Sequence, residues 1–325
     1  MTRLGYQIPN FTYPNTTGNQ IFQSVIAQSK AAEDAGFDRV FVMDHFYQLP
    51  GLGTPDEAMF ECYTLLSAIA QHTSKVRLSA LVTGNTYRNP TLLAKTVTAL
   101  DVVSNGRATL GIGAGWFELE HKQLGFEFGT FTDRFEKLEE ALQIIIPMLR
   151  GEKATLQGKH YQATDAVNFP APVSRIPIMI GGGGLKKTLR MVAQYADESN
   201  LTSRTIEEVT ERLAALDAHC ERLGRNRSEI KVTKQMMVCV APTMEEAHKD
   251  LEEIAVAKGW NSDVLEMMKA FILCGDSDTV GEKLSEFLEL GIDGFTLSLP
   301  ANGHKTDRIG LLAEAANAAL KSAGK

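Results

Sequence analysis

Apolar residues recur along this chain in two alternating rhythms. Short, nearly continuous apolar runs, the pattern of strands buried on both faces, lie at Leu4–Ile8, Arg39–Met43, Val76–Thr83, Arg107–Gly113, Ile176–Ile180, Glu198–Leu201, Ile230–Val240 and Gly294–Leu299. Between them apolar positions fall three and four apart, as on one face of a helix. Ile21, Phe22, Val25, Ile26, Ser29 and Ala32 mark the first such face, which stops at Gly36. Further helices are predicted over Ala58–His72, from Asn89-Pro90 to about Val103, over Asp133–Leu149, from Leu185 onward, from Thr205 to Leu223, from Thr243 to about Ala270, over Ser277–Leu290 and over Asp307–Ala323. Asn89 is a good N-cap with Pro90 at the first helical position, and Asp133 with Glu136 has capping-box spacing. Glu152–Phe169 breaks the rhythm. Its polar–apolar alternation around Gly158, ahead of Pro170 and Pro172, predicts an exposed hairpin.

Eight strand–helix units in 325 residues predict an α/β fold, a (β/α)8 TIM barrel, with insertions near residues 114–132, 151–172 and 243–270. A doubly wound open sheet is the alternative. No linker or low-complexity tract interrupts the chain, so one domain over residues 1–325 is expected. A hydrophobic content of 44% is ample for a core, and a net charge of −7 counts against nucleic acid or an anionic membrane surface as partner. No apolar run reaches the roughly 20 residues that span a bilayer, and no signal-peptide apolar region opens the chain. The four cysteines, Cys62, Cys220, Cys239 and Cys274, lie far apart without a CxxC, as in a cytoplasmic protein with reduced thiols. The seven histidines form no HxH, HxxxH or HExxH, so no metal site is expected.

In such barrels the chemistry sits at the C-terminal ends of the strands. That rule gathers Asp44 and His45 after the second strand, Thr83 to Arg88 after the third, Gly113 to Glu120 after the fourth, and Asn200 to Arg204 after the sixth. After the fifth come four glycines, Gly181 to Gly184, and then a helical pattern with Lys186, Lys187 and Arg190 in its first turns. Strand, glycines and helix in that order can present backbone N–H groups to a phosphate, though a Gly run at this place also serves as a plain tight turn. His45 can give or take a proton, or be a satisfied structural histidine; Asp44 can orient it or bind a ligand donor. Gly111-Ile112-Gly113-Ala114-Gly115 admits something flat or packs a crowded barrel top. Trp116 and Phe117 stack on a ring or cover the mouth, and Glu118, Glu120 and His121 read equally as a solvated loop.

These residues resemble the luciferase-like family of flavin and deazaflavin oxidoreductases, particularly its coenzyme F420-dependent branch. The matching stretches are Ala32 to Phe46, Val82 to Lys95, Leu100 to Trp116, and IPIMIGGGGLKKTL followed by ADESN. The resemblance implies a barrel with a (deaza)flavin across its mouth and the cofactor's phosphate on the glycine loop. It assigns to the cofactor Asp44, Ala80, Leu81, Val82, Thr83, Gly113, Ala114, Gly181, Gly182, Gly183, Gly184 and Leu185, and to catalysis His45, near the hydride-transfer carbon. It also implies a non-prolyl cis peptide between Ala80 and Thr83. One position departs from the pattern: Trp116 stands where sugar-phosphate dehydrogenases of the group carry a catalytic glutamate, which counts against a sugar phosphate substrate. The expectation is therefore an oxidoreductase passing hydride between coenzyme F420 and a small organic substrate, with a homodimer as family habit. An FMN-dependent monooxygenase is the near rival, and a flavin-binding barrel without turnover the more distant one.

Overall fold

The computed structural model describes residues 3–325. The first half of the chain forms β1 (Leu4–Ile8), α1 (Asn19–Asp34), β2 (Arg39–Val42), α2 (Cys62–Ala70), β3 (Arg77–Ala80), β4 (Thr83–Gly84), α3 (Pro90–Val103), β5 (Leu110–Gly113), α4 (Glu118–Leu124) and α5 (Phe131–Leu149). A hairpin of β6 (Ala154–Gln157) and β7 (Gln162–Ala166) follows, then β8 (Ile178–Gly181), α6 (Thr188–Tyr195), β9 (Glu198–Leu201) and α7 (Ile206–Leu223). The chain continues through β10 (Lys231–Val240), α8 (Met244–Ala257), α9 (Ser262–Phe271), β11 (Ile272–Gly275), α10 (Ser277–Glu289) and β12 (Gly294–Ser298), and ends in α11 (Thr306–Ser322).

The main sheet runs in the order β3-β2-β1-β12-β10-β9-β8-β5-β4, with every pairing parallel. A parallel bridge between Leu78 of β3 and Ala108, just ahead of β5, joins its two ends. The result is the expected TIM barrel, wrapped by helices. Its third position is split into β3 and β4 at a cis peptide between Leu81 and Val82, inside the stretch where the family resemblance implied one.

Outward-facing strand residues such as Val40, Val42, Leu78, Leu110, Ile112, Ile178 and Ile180 are buried beneath the helices in one continuous core. The inside of the barrel is far more polar. Arg39 of β2 and Glu198 of β9 form a two-pronged ion pair at 2.8 and 2.9 Å near the N-terminal ends of the strands. Above them Asn200 donates to the Thr233 and Thr296 hydroxyls, and Gln235 donates to Gln7 at 2.7 Å.

Several elements differ from the sequence expectation. The α5 capping box is Thr130 with Asp133, one turn ahead of the Asp133–Glu136 pair, because Thr130 is the residue whose hydroxyl meets the Asp133 N–H. The helix expected over Ala58–His72 starts only at Cys62, where the Glu61 carboxylate accepts from the Thr64 N–H. The helical stretch expected to carry an insertion over residues 243–270 divides into α8 and α9, and β11 behind them pairs with the outer half of β10. The insertion expected near residues 114–132 contains the short helix α4.

Candidate active site

A cleft of about 690 Å³ opens at the C-terminal ends of the strands, within the size range of small-molecule sites. Its floor and walls come from Gln7, Met43 to His45, Leu81 to Gly84, Gly113 to Trp116, Gly181, Gly182, Gly184, Asn200 and Gln235. Phe131, Arg134 and Phe135, from the first turns of α5, stand over it. Most residues predicted for the site thus meet in one cavity. Ala80, Gly183 and Leu185 do not line it: Ala80 is wholly buried beneath, and Leu185 packs against the core while its carbonyl accepts from His219.

His45 enters the cleft from the end of β2. Its Nδ1 lies 2.8 Å from the Glu120 carboxylate, and its ring meets Trp116 and Phe117 edge-on. A carboxylate can only accept, so Nδ1 carries the hydrogen. Nε2, without a partner among the described residues, is then the atom available to give or take a proton. Glu120 is fully buried on α4 and saturated. It accepts from the Phe46 and Tyr47 N–H groups at 2.5 and 2.8 Å and from the Tyr87 hydroxyl at 2.6 Å. Burial alone would raise its pKa; the hydrogen bonds from His45, Tyr87 and the Tyr47 amide outweigh burial and hold it below the usual carboxylate range. The solvated-loop reading of Glu120 and His121 therefore fails. His121 is buried too, bridging the Phe117 carbonyl and the Thr86 hydroxyl.

Asp44 has a different occupation from its neighbour. Its carboxylate takes both guanidinium prongs of Arg88 at 2.7 and 2.9 Å and the Gly84 N–H at 3.0 Å. Burial pushes its pKa up, with Arg88 and Gly84 working against the rise. It borders the cleft while tying β2 to the turn after β4.

Glycine is required around Val82. A Cβ on Gly113 or Gly181 would stand 2.9 or 2.8 Å from the Val82 methyls, and Gly182 has φ near +109°. The Gly182 N–H is engaged by the Asn200 carbonyl. The N–H groups of Gly183, Gly184 and Leu185 have no acceptor among the described residues. Beside them lies a cation that sequence reasoning missed. A Cβ on Gly183 would stand 2.6 Å from Nε of Arg212, and that buried Nε has no hydrogen-bond partner. Arg212 sits on α7 among Glu207, Glu208 and Glu211, where spacing alone reads as a solvated helix face. Of the cations expected near the loop, Arg190 is paired with Glu139 and Lys187 lies over the Phe131 and Phe135 rings.

The family model described as luciferase-like monooxygenase matches residues 2–294. Among curated relatives, an F420-dependent glucose-6-phosphate dehydrogenase from Microbacterium testaceum is 29% identical over 283 residues, 80% of this chain and 82% of that protein. Two solved structures share the fold. An F420-dependent secondary alcohol dehydrogenase with an F420–acetone adduct superposes with TM-score 0.79 at 20% identity, covering 98% of this chain and 99% of that one. A riboflavin lyase holding modified FMN and riboflavin gives TM-score 0.81 at 16% identity, covering 99% and 92%. No helix among the described residues is long and apolar enough to cross a membrane. The chain belongs to the luciferase-like monooxygenase family and is an oxidoreductase.

Proposed function

We propose that this protein binds coenzyme F420 and exchanges a hydride between it and a small organic substrate. The single observation that carries the reading is the pairing of a proton-transfer histidine in the cleft with an anion cradle on the glycine loop that borders it. At one end His45 has its Nδ1 locked and its Nε2 free. At the other, three unengaged N–H groups and the orphaned Nε of Arg212 converge where a ribityl phosphate would sit. The residues present fit the cofactor. Gly183 to Leu185 and Arg212 would hold its phosphate, and Val82 with the small residues Gly113 and Ala114 would lie against its ring. The cofactor when bound supplies the two-electron hydride chemistry. The protein's part is proton handling and position: Nε2 of His45 holds or releases the substrate proton, and Glu120 fixes the tautomer.

Support from relatives is for the cofactor rather than the substrate. The curated relatives include F420-dependent glucose-6-phosphate dehydrogenases. Trp116, at the cleft mouth, holds the position where the family resemblance implies a glutamate in that group, and with Phe131 and Phe135 it makes an aromatic mouth beside the cations Arg134 and Lys187.

Parallel fluorescence titrations of one preparation with F420 and with FMN test the reading. F420 should bind at least tenfold more tightly, a gap of about 1.4 kcal/mol. Tighter FMN binding would move the chain to the FMN-dependent monooxygenases. Binding of F420 without hydride transfer to any alcohol or carbonyl compound would leave a non-catalytic flavin-binding barrel.

A further inference from the structure

A second cavity, of about 530 Å³, adjoins the active-site cleft across β10, with Thr202 and Gln235 lining both. Side chains alternate across a strand, so Gln235 faces the cleft while Lys234 turns outward to α10. The cavity is walled by Thr202 to Arg204 after β9, by β10 itself, by Phe271 to Leu273 at the α9–β11 junction, and by Lys283 and Phe287 of α10. Two of its polar groups are buried without a matching partner. The Lys234 side chain is almost wholly buried, yet among the described residues no carboxylate lies within ion-pair distance of its Nζ. That Nζ has only a neighbouring carbonyl at 3.3 Å and the Phe287 ring at 4.3 Å. Ser203 is also buried, and its hydroxyl has no hydrogen-bond partner.

A buried ammonium without a counter-charge is costly, and a buried hydroxyl without a partner adds to that cost. Burial, and then the charge of Lys283, push the Lys234 pKa down to about 8, against the weaker pull of the more distant Glu208 carboxylate. Arg204 stacks on Phe271 at 4.0 Å and adds a second positive charge at the rim. Apart from Thr202 and Gln235 on the cleft side, the remaining wall is apolar, with Met236, Met237, Ile272, Leu273 and Phe287.

We propose that this cavity is a binding site for a small organic carboxylate with an apolar body, its carboxylate seated between Lys234 Nζ and the Ser203 hydroxyl. The charge supplies the missing counter-ion, the hydroxyl donates, and the methionine and phenylalanine side chains take the aryl or alkyl portion. Methionines suit such a pocket because their flexible side chains adapt to varied apolar shapes. Lys234 and Ser203 line this cavity and not the cleft, although Thr202 and Gln235 border both, so the carboxylate seat does not depend on the cofactor assignment.

Isothermal titration of the whole protein with benzoate, and separately with the uncharged benzamide, tests this. Benzoate should bind, benzamide at least tenfold more weakly, and Lys234→Met should lose benzoate binding by tenfold or more. Since Lys234 is buried, the half-exposed Lys283→Met serves as a second variant that leaves the core untouched, with an expected loss of a few-fold. His45→Asn reports on the cleft and should bind benzoate as the unaltered protein does. No benzoate binding, equal affinity for benzamide, full affinity in both lysine variants, or loss of binding in His45→Asn would each overturn the proposal.

Discussion

His45 and Glu120 are 75 residues apart in the chain and act as one unit in the fold. If Nε2 of His45 exchanges the substrate proton, His45→Asn should lower turnover by about 10²–10⁴ while F420 affinity, read by fluorescence, changes little. Normal turnover in that variant would make His45 structural. Glu120 is a positioning residue, acting through His45 and the Phe46–Tyr47 backbone. Behind the glycine loop, Arg212→Gln removes the charge beside Gly183 without emptying the space. A charge-assisted hydrogen bond contributes about 1.5–3 kcal/mol, so F420 should bind about ten- to a hundredfold more weakly, with the melting temperature of the unliganded protein nearly unchanged. Unaltered affinity would place the phosphate elsewhere. What the sequence showed at this scale was uneven for a physical reason. Asp44-His45 was legible because polar residues directly after an apolar strand have no folding role to explain them. Glu120 and Arg212 were not, since each sits among charged neighbours and its burial depends on where its helix packs. Of the two readings of Asp44, orienting His45 falls to Glu120 instead, while Arg88 holds both Asp44 oxygens.

At the scale of elements, the apolar runs marked every barrel strand because each is buried on both sides and must be written in nonpolar residues or in paired polar ones. Short elements escaped. The two-residue β4 is too short for any period, the four residues of β11 fall between two predicted helices, and α4 spans only two turns. The displaced capping box shows how local spacing misleads. Asp133 and Glu136 have the right separation, but only Thr130 has the extended backbone of an N-cap, with Asp133 closing the box from inside the helix. Thr130→Ala should therefore cost about 1 kcal/mol in urea unfolding, the usual worth of such a cap. A neutral result would mean that α5 draws its stability from the packing of Leu138, Leu142 and Ile145 alone. Because Phe131, Arg134 and Phe135 hang over the cleft from this same first turn, loosening it should also raise the substrate KM more than it lowers kcat.

The whole barrel has one feature that strand patterning cannot announce. Its interior is bridged across by Arg39 of β2 and Glu198 of β9, two strands that never pair with each other in the sheet. Both side chains are almost wholly buried, so the pair has no solvent to fall back on. The sheet is continuous from β3 around to β4, and only the Leu78–Ala108 bridge closes the remaining gap, so a strut across the lumen restrains the shape on which the cleft above depends. Desolvating two charges is expensive, and their attraction repays that only while both are present. Removing one partner strands the other. Glu198→Ala should accordingly destabilise the protein by about 3–5 kcal/mol, and Arg39→Met by a similar amount. The double variant Arg39→Met, Glu198→Met replaces the pair with apolar groups of comparable volume and should recover most of the loss. Recovery by the double variant is the discriminating measurement, because a merely larger cavity would make the two changes additive. If chemical unfolding shows the single variants within about 1 kcal/mol of the unaltered protein, the pair is not a strut, and the polar layer of Gln7, Asn200 and Gln235 above it must hold the lumen instead.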